Sequence, residues 1–157
     1  MTPQEIMLGL AAFLHNLFTV VWIGGLVMIS LTLLPSAREL FGNGPQTQNL
    51  MSGILRRHKV WVYISIVGLF ITGVIQARVE PGFSGLMRFD TLYGTLTSIK
   101  HLLTVAMVGI TLFRSLAAGK KGKDATPKQM KQSLQLIIVN AALGVGILLL
   151  SGLMAAI

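Results

Sequence analysis

Two histidines, His15 and His101, are the residues whose type and placement in this chain suit metal chemistry. Each lies inside a long apolar run. An ionisable side chain in such a run is costly enough to mark a function by default. Two imidazoles on neighbouring helices suit axial ligation of a flat macrocycle, and haem iron is commonly held by His. The pair therefore predicts haem b with His15 and His101 as metal ligands. Two such ligands leave no open position, which favours electron transfer with a quinol or another redox protein over substrate activation. Lys100 is then placed to orient a propionate, with Arg78 and Arg88 as other partners. Trp22, seven residues after His15, shares its helical face and is a candidate to line the cofactor pocket.

Depth supports the pairing. His15 lies nine residues after Ile6 and His101 nine after Leu92, so each sits roughly 13 Å along its helix at 1.5 Å per residue. Each residue also has a plainer reading. A membrane histidine often serves an interhelical hydrogen bond, Lys100 can snorkel to the interface, and Trp22 can simply pack. His58 stands in the cluster Arg56-Arg57-His58-Lys59 and reads as facing the headgroups. Trp61 and Tyr93 lie near span ends, as aromatic-belt residues do. Asn140, Gly144, Ile147 and Ser151 form a stripe suited to helix packing.

The elements that must position these side chains are transmembrane helices. From Ile6 to Pro35 no residue carries a formal charge, and about 20 apolar residues cross a bilayer core. Thr2 is a candidate cap for this first helix, with Pro3 at its first position and Glu5 at its third. Pro35 reads as its stop. Gly42-Asn43-Gly44-Pro45 reads as a turn, and residues 49–59 as an amphipathic lead-in to the second span. The whole predicts an all-α membrane protein, a single up-down four-helix transmembrane bundle with spans at about 5–34, 59–78, 92–116 and 132–157.

Composition agrees. Charged residues make up 11% of the 157 and hydrophobic ones 53%, against roughly 25% charged in soluble proteins. The net charge of +8 does not signal nucleic acid, because the cations lie in the loops between spans. Ten lysines and arginines fall in the first and third loops and three on the other side. The positive-inside rule makes those loops cytoplasmic and puts both termini outside. The expected location is a prokaryotic plasma membrane, the bilayer is the first partner, and self-association is a further one. The absence of cysteine excludes disulfides, thiolate zinc and iron–sulfur clusters. The start Met1-Thr2-Pro3-Gln4-Glu5 has no basic residue and does not read as a signal peptide. The eight methionines are scattered and form no ladder for Cu(I). No nucleophile motif or phosphate loop is present, so the chain reads as an electron-transfer or metal-handling protein before a catalyst.

Several short motifs resemble a known family. Leu14-His15, Val21-Trp22-Ile23-Gly24-Gly25 and Leu34-Pro35 are similar to the first helix of the copper resistance protein D (CopD) family. Ile71-Thr72-Gly73 is similar to that family's "TG" helix, and Tyr93-Gly94-Thr95-Leu96 with Ile99-Lys100 to its entry to the next helix. The resemblance implies a copper-handling permease, with His15, His101 and Met28 or Met107 as transient copper ligands. Asn140 stands where such proteins often carry an acidic residue, and His101 follows the lysine where many lack a histidine. A more distant resemblance, to the HemJ-type protoporphyrinogen oxidases, rests on His15 and Lys100 and implies a porphyrin. A third alternative is a structural subunit of a larger membrane complex.

Overall fold

A computed structural model describes residues 2–79, 85, 87, 89–119 and 126–156. Arg88 and the basic run Lys120-Lys121-Gly122-Lys123 lie outside the described residues. Among those described, four helices are long and apolar enough to cross a membrane. We number them α1 (Pro3–Phe41), α2 (Pro45–Ala77), α3 (Leu92–Gly119) and α4 (Pro127–Met154). They form the all-α bundle. The start of α1 and the end of α4 lie at one end, the terminal end, and the α1–α2 turn, the end of α3 and the start of α4 lie at the other, the loop end. α1 packs along α2, α3 packs along α4, and the middle of α1 closes on α4.

Helix starts follow local chemistry. The Thr2 hydroxyl accepts the Glu5 amide at 3.2 Å, and the Glu5 carboxylate accepts the Thr2 amide at 2.7 Å, a reciprocal cap. The pattern recurs at Thr126-Pro127-Lys128-Gln129, where Thr126 and Gln129 cap α4 in the same way. That repeat starts α4 at Pro127, ahead of the apolar span expected from residue 132. The lead-in at 49–59 is likewise continuous with the following span. The resulting 33-residue helix is about 50 Å long, longer than a bilayer core of about 30 Å. Its loop-end turns therefore extend past the hydrocarbon, carrying exposed Arg56, Arg57 and Lys59.

Pro35 does not end α1. Two π segments, Val20–Gly24 and Ile29–Leu33, interrupt the α geometry, and the second ends two residues before the proline. Proline removes one i→i−4 bond and crowds that carbonyl, and the wider π turn absorbs both effects. The helix then runs to Gly42, whose φ of 68° makes the turn. The Thr47 hydroxyl reaches the Ala37 and Gly42 carbonyls at 3.0 and 2.6 Å, which fastens α2 to the end of α1.

The outside of the bundle is apolar, and its apolar core also holds buried polar side chains. Leu31, Phe70 and Val105 are each at least 70% exposed, whereas Ser65, Thr72, Ser98, Thr111 and Asn140 are buried. With lipid as solvent there is no hydrophobic drive between helices, so small residues and interhelical hydrogen bonds hold the bundle. Asn140 Nδ2 donates to the Thr111 hydroxyl at 3.1 Å. Arg114 Nε donates to the Ser133 hydroxyl at 3.3 Å. Gly144 lets Ile23 and Met107 meet over its backbone, and a Cβ there would lie 2.8 Å from Ile23 Cγ2. At Gly68 a Cβ would run into the Phe18 ring, whereas at Gly9 it would meet nothing within 4 Å. Gly68→Ala is expected to cost about 1–3 kcal/mol by overpacking, read as a lower unfolding midpoint in detergent. Gly9→Ala should leave the midpoint near that of the parent protein, and equal shifts for the two would contradict this packing.

Candidate metal site

His15 is half-buried on the inner face of α1. Its Nδ1 lies 2.8 Å from the Thr72 hydroxyl oxygen on α2. Thr72 is buried, and its single hydroxyl proton goes to the Gly68 carbonyl at 2.7 Å, with Leu69 O at 3.4 Å. With that proton on the Gly68 carbonyl, the hydroxyl faces His15 as an acceptor and Nδ1 is the nitrogen that would donate. Nε2 is left with its lone pair. This is the arrangement by which proteins prepare a histidine for a metal: the second nitrogen is tied down, and the tie fixes tautomer and ring plane. The neighbouring Gly73 makes room, since a Cβ there would come within 3.7 Å of His15 Cε1.

Lys100 and His101 lie on α3, both half-buried. Lys100 is close enough to His15 to interact with it electrostatically, so α3 brings Lys100 toward His15 at the terminal end. His101 Nδ1 is buried without a hydrogen-bond partner among the described residues. One turn earlier Thr97 contacts Met154 Sδ on α4 at 3.9 Å, which places a thioether near the same end. The sequence argument from equal depth changes, however. α1 begins at Pro3, three residues before the assumed start, which shifts His15 by about 4.5 Å relative to that reckoning. No hydrogen bond joins the two imidazoles among the described residues, and no group of three His, Asp or Glu side chains forms a ready-made metal cage there.

The other candidates divide. Trp22 is 2% exposed in the core with Ile23, Leu26 and Met107, and its Nε1 is without a hydrogen-bond partner among the described residues. Met107 is fully buried, whereas Met28 is 56% exposed on the outside of α1, which removes Met28 as an interior copper ligand. Arg78 is exposed at the end of α2. His58 does not face the headgroups. Its ring lies against Gly25 so closely that a Cβ there would collide with it, and its Nε2 is buried without a partner among the described residues. The signal was available in the spacing: Met51, His58, Ser65 and Thr72 recur every seven residues, and all point inward from α2.

Comparison with known proteins supplies the family. The family model for copper resistance protein D matches residues 52–154. The chain belongs to the CopD family. The matched region spans α2 to α4 and contains Thr72, Lys100, His101 and His58, while His15 lies before it. Neither a curated protein nor a solved structure matches the chain. With four membrane-crossing helices, this member of the CopD family is a multi-pass membrane protein in contact with lipid.

The proton count at Thr72 is open to direct test. Nitrogen-15 NMR of the histidines should show His15 as the Nδ1–H tautomer in the parent protein and in Thr72→Ser. Thr72→Val should release the ring into a mixture of tautomers. An unchanged His15 signal in Thr72→Val would contradict the assignment.

Proposed function

We propose that this protein handles copper in the membrane, binding the ion at the terminal end through His15 Nε2, with His101 as a second nitrogen donor. One observation carries the reading: the Thr72–His15 hydrogen bond that fixes Nδ1 as donor and leaves Nε2 as a lone pair. Imidazole nitrogen and thioether sulfur are both suitable copper donors, and Met154 is near enough to that end to serve as the sulfur donor. Membership in a family named for copper resistance favours copper over the haem b reading, which draws on the same two histidines. Lys100 acts on the charge at the site, and Trp22 closes the core beneath it. The distribution of lysine and arginine supports a cytoplasmic loop end, and the His15 site would then open toward the outside, where copper would enter.

The test is metal content and absorption of detergent-purified protein from cells supplied with both copper and haem precursors. The expected result is a protein without haem bands that retains copper after desalting. His15→Ala should weaken retention at least tenfold and His101→Ala should weaken it measurably. A reduced spectrum with sharp α and β bands, abolished by the same substitutions, would replace copper with haem b.

A further inference from the structure

At its loop end α2 carries a basic cleft on its outer surface. Asn49, Leu50, Gly53, Ile54, Arg56 and Arg57 line a space of about 310 Å³. They form two rows on one helix face, Asn49-Gly53-Arg56 and Leu50-Ile54-Arg57, each spaced i, i+4, i+7. Gly53, between the rows, faces open space. Arg56 and Arg57 are exposed, and neither has an ion-pair or hydrogen-bond partner among the described residues. The helix itself contains no aspartate or glutamate. Lys59 lies off this face, with its Nζ 5.6 Å from the centre of the Tyr63 ring.

The same face runs on into the membrane as an apolar stripe. Val60, Trp61, Ile64, Val67 and Ile71 continue the two rows at steps of three, four and seven residues, and all are exposed. From Arg57 to Val67 the helix rises about 15 Å, half of a hydrocarbon core of about 30 Å. The face therefore offers two cations at one level and an apolar track one leaflet deep below them. A phospholipid has the matching layout, a phosphate at the headgroup level with acyl chains descending from it. Guanidinium groups bind phosphate oxygens through paired charge-assisted hydrogen bonds, and basic residues flanking a span attract anionic headgroups.

We propose that this face of α2 holds an anionic phospholipid of the loop-end leaflet, with its phosphate between Arg56 and Arg57 and an acyl chain along Trp61 and Ile64. Two cations without a carboxylate partner favour a lipid of net negative charge over a zwitterionic one, whose own ammonium they would repel. The site lies on a different face of α2 from the inward row Met51, His58, Ser65 and Thr72, and it is independent of the copper reading.

Trp61 is a reporter within the stripe, because the other tryptophan of the chain, Trp22, is buried in the core. The measurement is tryptophan quenching in phosphatidylcholine vesicles in which the same minor fraction of either phosphatidylglycerol or phosphatidylcholine carries brominated acyl chains. Brominated phosphatidylglycerol is expected to quench the parent protein at least about twofold more strongly than brominated phosphatidylcholine, and Trp61→Phe should remove that excess. Arg56→Gln combined with Arg57→Gln should abolish the preference. Lys128→Gln combined with Lys131→Gln removes the same charge from the exposed start of α4 and should leave the preference in place. Equal quenching of the parent protein by the two lipids, or a preference unchanged in the paired arginine variant, would overturn the proposal. Equal loss in both paired variants would also overturn it, since the attraction would then belong to the charge of the whole loop end. Weak quenching by both lipids would mean that protein, such as a second copy of this chain, covers the stripe in place of lipid, and the proposal would fall.

Discussion

The Thr72 hydroxyl is the constraint on which the site depends. It has one proton, already given to the Gly68 carbonyl of its own helix, so it can only accept from His15. In the proposed site that one shortage of protons would set the tautomer of the imidazole, hold its plane and leave Nε2 free to bind. The surrounding fold secures the contact. The reciprocal cap at Thr2 and Glu5 starts α1, Gly68 admits Phe18, and Gly73 leaves space beside His15. The turn at Gly42 and the Thr47 hydroxyl then fix how α2 returns along α1.

Lipid as solvent explains why polar side chains are concentrated in the core. Outside the bundle an apolar face costs nothing, so Phe70 and Leu31 stand exposed. Inside, hydroxyl and amide groups join helices that hydrophobic burial would not hold together. Several buried polar atoms, Ser65 Oγ, Trp22 Nε1, His58 Nε2 and Asn140 Oδ1, are nonetheless left without partners among the described residues. Such groups are uncommon in a finished core. They follow the inner faces of the helices away from His15, so the polarity around His15 continues into the bundle and is not confined to one end.

The all-helical membrane bundle was legible because long uncharged runs have few other readings. His15 was legible for the same reason, as an ionisable group where none is tolerated idly. What holds it was not. Thr72 in an apolar helix is indistinguishable by type from a threonine bonded to its own backbone, and here it does both. His58 was misread from its neighbours, because Arg56, Arg57 and Lys59 are exposed while the helix turns the histidine inward. The sevenfold recurrence from Met51 to Thr72 carried the correct answer, but it becomes visible only if the lead-in and the span are taken as one helix. Pro35 misled because the π segment before it is not encoded by any single residue. The family resemblance drew on the first helix as well, whereas the family match covers the later three. The choice between haem and copper was beyond residue types alone, since the same two imidazoles suit both.

The central claim is that Thr72 acts on the metal through His15. A double-mutant cycle on Cu(I) affinity, with His15→Ala, Thr72→Val and the double variant, tests it most directly. Thr72→Val alone is expected to weaken binding about 10–100-fold, as loss of a group that orients a metal ligand does. In the double variant Thr72→Val should add nothing to the loss already caused by His15→Ala. Losses that simply add would mean that Thr72 contributes independently of the histidine, and the account of the site would be wrong.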